Sequence, residues 1–172
     1  MRAATRADDD SAFEATFLEH WPRIYGVLMR LVGDHAEAED LALETFLRLY
    51  RTPPAGGDNL GGWLYRVATN LGLNAIRTWK RRERYELEAG VWDLQENAEP
   101  DPAESQARNE DRRRVRRILG EMTPRQSQLL ILRHSGLAYK EIADALGVSA
   151  NSIGTLLARA EAEFERRYHA SE

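Results

Sequence analysis

Near the C-terminus, Asn151, Ser152, Thr155 and Arg159 recur at steps that place side chains on one face of a helix. Their chemistry is that of groove reading. An asparagine amide can pair with an adenine edge, a threonine methyl can touch a thymine methyl, and an arginine can reach guanine or phosphate. Tyr139 and Lys140 lie on the preceding segment, suited to holding a DNA backbone. A second constellation sits mid-chain, where Arg66, Asn70, Asn74, Arg77 and Arg81 repeat the same spacing, with Lys80 beside them and Trp63, Tyr65 and Trp79 interleaved. Arginines supply phosphate contacts, asparagines hydrogen-bond base edges, and aromatic rings stack on unpaired bases. For Trp63 and Trp79, core burial and base stacking both stay open. A third group is anionic: Glu37, Glu39, Asp40 and Glu44, with Arg48 one turn on and Leu43 and Leu47 alongside. It reads either as a solvated face or as a docking surface with apolar anchors.

Catalysis finds little support. His20, His35, His134 and His169 are scattered without metal-ligand spacing, there is no cysteine, and neither a phosphate-cradling glycine loop nor a nucleophile elbow occurs. No enzyme, metal or cofactor is expected. The net charge of −4 is at odds with a nucleic-acid binder until the charges are located. Arg77, Lys80, Arg81, Arg82 and Arg84 form one basic run and Arg112, Arg113, Arg114, Arg116 and Arg117 another, with acidic residues crowded between. The N-terminal residues lack the apolar core of a signal peptide, and no stretch approaches the roughly 20 apolar residues of a membrane span, so a cytoplasmic protein without membrane insertion is expected.

The elements that must position these groups are helical throughout, an all-α fold. Phe13, Phe17, Trp21, Ile24, Tyr25, Leu28 and Leu31 mark a first helix, with Ser11 and Glu14 as its capping box and Gly33 as its end. Asp34 and Glu37 open a second, whose buried side is Ala38, Leu41, Ala42, Thr45, Phe46 and Leu49. Pro53, Pro54, Gly56 and Gly57 stop it. Trp63, Leu64, Val67, Ala68, Leu71, Ala75, Ile76 and Trp79 mark a long third helix entering the first basic run. Residues 11–85 thus form one small helical domain. Residues 86–111, acidic and holding Pro100 and Pro102, read as a flexible linker.

Residues 112–168 form a second small domain. Val115, Ile118 and Leu119 begin a helix there, Thr123, Pro124 and Gln126 start the next, and Leu129, Leu130 and Leu132 supply its core. Leu137–Glu165 reads as a helix-turn-helix, with Ala143 where the helices cross, Gly147 in a positive-φ turn, Ile153 pinning the second helix and Ser149 capping it. Gly154 inside that helix costs up to about 1 kcal/mol against alanine, which suggests close approach by another group.

These residues resemble the sigma-70 type initiation factors of bacterial RNA polymerase, in the compact extracytoplasmic-function group. The resemblance rests on Ala38-Glu39-Asp40-Leu41 with Glu44-Thr45-Phe46-Leu47, on Trp63-Leu64-Tyr65-Arg66-Val67-Ala68-Thr69-Asn70 ending in Arg77, and on Thr123-Pro124-Arg125-Gln126 leading to Tyr139-Lys140-Glu141-Ile142-Ala143. It implies that Asp40, Leu41, Glu44, Leu47 and Arg48 grip core polymerase. Residues 50–59 and Arg66–Arg82 would melt and capture the minus-ten element, with Trp63, Arg66, Asn70, Asn74, Arg77, Lys80 and Arg81 as contacts. The acidic linker would thread the polymerase channel. Tyr139, Lys140, Ser149, Asn151, Ser152, Thr155 and Arg159 would bind the minus-thirty-five element of promoter DNA as duplex, and an anti-sigma factor is an implied partner.

Four positions depart from the family. Gly154 and Leu156 stand where lysine and arginine are common, Ala138 replaces a serine or threonine cap, and Asn74 replaces a frequent aspartate. Weak or altered duplex binding is therefore expected, and an outward-facing Leu156 would offer a protein contact instead. The competing reading is a free-standing helix-turn-helix regulator, which leaves the anionic face and the two-part layout without a use.

Overall fold

Seven helices carry all the regular structure of the described residues: α1 Arg2–Val32, α2 His35–Arg51, α3 Leu60–Ala89, α4 Pro102–Glu121, α5 Pro124–His134, α6 Tyr139–Leu146 and α7 Ala150–Ala170. They belong to a computed structural model that describes residues 2–54, 59–89 and 102–170.

Local chemistry accounts for most helix ends. Asp34 accepts a hydrogen bond from the Glu37 amide at 2.8 Å to open α2, and Gly33 closes α1 at a φ of 75°. The Asn59 side chain accepts from the Gly62 amide at 3.0 Å and starts α3. Thr123 and Gln126 form a capping box, with Pro124 just inside α5. Gly147 ends α6 at a φ of 65°, the left-handed turn expected between the two helices of the motif. The capping box expected at Ser11 does not form. α1 begins upstream at Arg2 and runs through Ser11, because Ala3, Ala4, Arg6 and Ala7 are helix formers and nothing there stops the chain.

The expected linker also shrinks from both ends, since α3 continues to Ala89 and α4 starts at Pro102. Good helix formers such as Ala103, Gln106 and Ala107 follow a proline suited to the first helical position. The remaining acidic positions, Asp93, Glu96, Glu99 and Asp101, lie outside the described residues, as do Gly56 and Gly57.

Helices α1, α2 and α3 pack around Ile24, Leu28, Leu31, Ala42, Phe46, Leu64 and Leu73. Phe17 sits 4.8 Å from the buried Phe46 ring and 4.9 Å from Trp21, filling the α1–α2 angle with aromatic surface. At Gly72 an added Cβ would lie 2.3 Å from Leu31 Cδ2, so a side chain there would force the buried Leu31 to shift at the α1–α3 crossing. Helices α4 to α7 gather around Leu129, Leu132, Ile142, Ile153 and Leu157. The two groups are joined, not separate: α3 packs on α4, α5 and α6, and one continuous apolar core runs through both.

Ala138 has no side-chain oxygen, so α6 is capped from one side only, by Glu141 accepting from the Ala138 amide at 2.7 Å. Ala138→Ser completes the reciprocal bond. It is expected to raise unfolding stability by about 0.5–1 kcal/mol, read as a shift in the denaturation midpoint at constant slope.

Candidate functional site

Three surfaces hold the residues singled out above. On α2, Glu39 and Asp40 are exposed, and Leu43 and Leu47 remain 47% and 39% exposed. Arg48 Nε donates to Glu44 Oε1 at 2.8 Å, an i,i+4 pair that orders the face without neutralising it. Tyr50 extends the apolar strip, 54% exposed and edge-on to Phe13 at 5.2 Å. Its place three residues beyond Leu47 is the signal for its membership, whereas the resemblance placed it at the start of the segment 50–59 implied to melt the minus-ten element. Leu41 turns toward the core, as its place on the apolar stripe requires, and so is only partly available to a partner. The anionic face therefore has apolar surface at its centre, the composition of a docking patch more than of a plain solvated face.

On α3, Arg66, Asn70, Asn74 and Arg81 are exposed, while Trp63, Arg77, Trp79 and Lys80 are half-buried. Trp63 packs against the core, which leaves part of its ring at the surface. Tyr65 is buried at 5% exposure and cannot stack on a base. Burial raises its phenol pKa, an effect opposed by Arg23 beside it. The face is not clear of the second helical group. Asn70 Oδ1 accepts from Gln128 Nε2 at 2.8 Å, Arg77 Nε donates to the Gly120 carbonyl at 3.4 Å, and Lys80 Nζ meets Glu121 Oε1 at 2.5 Å. Glu121 also pairs with Arg167 at 3.4 Å. Arg167 in turn shares Glu163 with Arg166, and these guanidinium hydrogen bonds hold the Glu163 carboxyl down at about 2.

On α6 and α7, Tyr139, Lys140, Ser149, Asn151, Ser152, Thr155 and Arg159 are all exposed, so the helix-turn-helix presents them together on an open surface. Ser149 immediately precedes α7, its carbonyl accepting from the Ser152 amide at 3.0 Å. Arg133 lies 5.5 Å from the Tyr139 ring centroid and adds a cation there that the sequence had not flagged. Two further residues of α7 are placed by the structure. Leu156 is half-buried: it packs against the core from the edge of the stripe formed by Ile153, Leu157 and Ala160. Gly154 is not forced by a close neighbour within the chain, because an added Cβ would meet Tyr139 Cε2 at an ordinary 3.8 Å. Among the described residues no group of His, Asp and Glu side chains could hold a metal ion, and no helix is long and apolar enough to cross a membrane.

Comparison with known proteins covers the same residues. Residues 16–84 match Sigma-70 region 2, and residues 112–164 match Sigma-70, region 4. The ECF RNA polymerase sigma factor SigE of Mycolicibacterium smegmatis is 31% identical over 145 residues, covering 82% of this chain and 55% of SigE. The RNA polymerase sigma-H factor of Pseudomonas aeruginosa is 27% identical over 172 residues, covering 92% and 86%. The sigma factor RpoE from Bartonella quintana, solved in complex with the anti-sigma factor NepR, superposes with a TM-score of 0.53 at 22% identity, covering 94% of this chain and 99% of RpoE, a likeness of fold. The chain spans about half the length of the first curated relatives it matches.

The room beside Gly154 makes Gly154→Lys a test of the α7 surface. It is expected to steepen the salt dependence of duplex DNA binding by about 0.9 in log–log slope, one phosphate contact, as read by fluorescence anisotropy across a salt series. Leu156→Arg is expected to cost about 1 kcal/mol of stability instead, because it removes half-buried apolar packing at the edge of the α7 stripe while the guanidinium reaches water.

Proposed function

The chain belongs to the sigma-70 family of RNA polymerase sigma factors, in its extracytoplasmic-function group, and on that premise we propose that it is a dissociable polymerase subunit that directs promoter recognition and melting. It has no catalytic residues of its own and acts in the cytoplasm, on the core enzyme. The α2 face docks on core polymerase through Leu43 and Leu47, with Asp40, Glu44 and Arg48 setting the electrostatic match. The α3 face captures melted minus-ten DNA: Arg66, Arg77, Lys80 and Arg81 hold phosphates, Asn70 and Asn74 read base edges, and the exposed part of Trp63 stacks. The helix-turn-helix binds the minus-thirty-five element as duplex through Asn151, Ser152, Thr155 and Arg159, with Tyr139, Lys140 and Ser149 along the backbone. The acidic linker runs between them through the polymerase channel. An anti-sigma factor, the kind of partner bound to the structural relative, would hold the chain inactive.

The observation that carries this reading is the order of the two matched regions along one chain, the first bearing an exposed anionic face with apolar anchors. A free-standing regulator has no use for that face. The direct test is promoter-directed run-off transcription by core enzyme with and without the purified chain. Asp40→Lys with Glu44→Lys is expected to weaken association with core polymerase by at least about tenfold, since reversing charges in a complementary interface adds repulsion. Circular dichroism should stay unchanged. Association at full strength in a folded variant would remove α2 from the interface.

A further inference from the structure

The second basic run of the sequence, on α4, takes no part in the surfaces assigned above. Arg112, Arg113 and Arg116 fall on one flank of that helix, with Arg112 and Arg116 about 6 Å apart along its axis. Helix α4 packs on α3, and a cation of α3 comes to the same place. Burial and then Asp34 raise the Glu37 carboxyl, and Arg116 and Arg82 both pull it back, which sets Arg116 of α4 and Arg82 of α3 beside one carboxylate of α2. Arg82 stands about 100° round α3 from Arg81, off the stripe that holds Arg66, Asn70, Asn74 and Arg77, so the DNA face makes no use of it.

Arg116 is the inner member of this group. Its guanidinium lies over Gly33, where an added Cβ would be 2.8 Å from Arg116 Cζ and where a φ of 75° favours glycine. It is half-buried there, and burial lowers its pKa, with Arg112 and Arg113 pushing the same way and Glu37 opposing. Among the described residues, Arg82, Arg112, Arg113 and Arg116 make no hydrogen bond or ion pair with another protein group. Arg23, Lys80 and Arg167, by contrast, each meet a carboxylate. Like charges gathered round a half-buried guanidinium cost stability until an anion joins them.

We infer that this seam between α3 and α4 is a binding site for a small polyphosphate anion, with Arg116 at its floor and Arg82, Arg112 and Arg113 at its rim. Guanidinium groups present paired N–H donors that match phosphate oxygens. One phosphate cannot reach along a turn of α4 and across to α3 as well, and a short chain of phosphates can. A duplex backbone would meet the exposed cations without reaching the half-buried Arg116, and the Glu37 carboxylate bounds the site against a longer polyanion. The ligand takes its contacts from two helices, so binding raises the stability of the chain. The shared chemistry is a linear phosphate chain, inorganic or carried by a nucleotide. Tyr85, 61% exposed and three residues beyond Arg82, is placed to stack on the base of a nucleotide. The site does not depend on the proposed role in transcription.

The test is isothermal titration of the full chain with inorganic tripolyphosphate at constant ionic strength in magnesium-free buffer, beside the thermal midpoint. The unaltered chain is expected to bind tripolyphosphate in one-to-one ratio with a raised midpoint, and orthophosphate is expected to do neither. Arg112→Gln with Arg116→Gln is expected to weaken binding by at least about tenfold, since two charge-assisted contacts are lost. Arg82→Gln, at an exposed position that carries no packing, is expected to weaken it by about threefold or more. Arg51→Gln with Arg133→Gln removes the same charge as the α4 pair from elsewhere and is expected to leave binding unchanged. Tighter binding of ATP than of tripolyphosphate, lost in Tyr85→Ala, assigns the nucleotide as the source, and equal binding assigns the inorganic chain. No uptake of tripolyphosphate by the unaltered chain, or an Arg82→Gln chain that binds at full strength, overturns the inference. So does an equal loss in the Arg51 and Arg133 variant, which marks a general counter-ion effect. Loss of duplex DNA affinity in the α4 pair with tripolyphosphate binding unchanged would give the cluster to DNA instead and overturn it as well.

Discussion

Helix α5 imposes a packing demand that one small domain does not meet. Ser127, Gln128, Leu129, Leu130, Ile131 and Leu132 are buried in succession, which is more than one full turn of side chains. A helix covered on a single side leaves the other positions in water. Helices α6 and α7 cover one part of α5, and α3 and α1 cover another. The surface to be covered is mostly aliphatic, so its burial drives association of the two groups at about 25 cal/mol per Å² of apolar area. Gln128 is the polar exception on that surface, and Thr69 and Asn70 satisfy it.

The same contact places opposite charges in register. Lys80 and Arg23 come from the first group, Glu121 and Glu141 from the second, so each side contributes one sign. A further cation crosses the boundary in the other direction: Arg116 of α4 lies against Gly33, where burial lowers its pKa and Glu37 partly offsets that. Burial, with Asp34 nearby, raises the Glu37 carboxyl in turn. Exposed pairs of this kind are worth about 0–1 kcal/mol each. They orient the groups without locking them, which suits a chain whose cations have a second use on phosphate.

Missing side chains decide how near the helices approach. Gly72 leaves the space that the Leu31 side chain fills at the α1–α3 crossing, and Gly120 lets α4 bring a carbonyl to Arg77. Gly154 is different, since its neighbour Tyr139 stands at ordinary contact distance. A glycine in a helix thus has no single meaning in sequence, and its role follows from what packs opposite.

Much of the fold was legible in the residues. Helix spacing, the Asp34 and Thr123 caps, the Gly33 and Gly147 turns and the exposed faces of α2 and α7 all appear where chain-local chemistry put them. These depend on interactions between residues three or four apart, which a linear pattern contains. The run Leu129–Leu132 also announced burial on more than one side, although a single-face reading passed over Ile131. The start of α1 and the helical ends of the linker were missed, because helix-forming residues extend a helix past a cap-like pattern when nothing breaks it. The burial of Tyr65 and the pairing of Asn70 with Gln128, 58 positions away, could not be read from the chain. Those features arise from surfaces distant in sequence meeting in space, and no local spacing encodes which surfaces will meet.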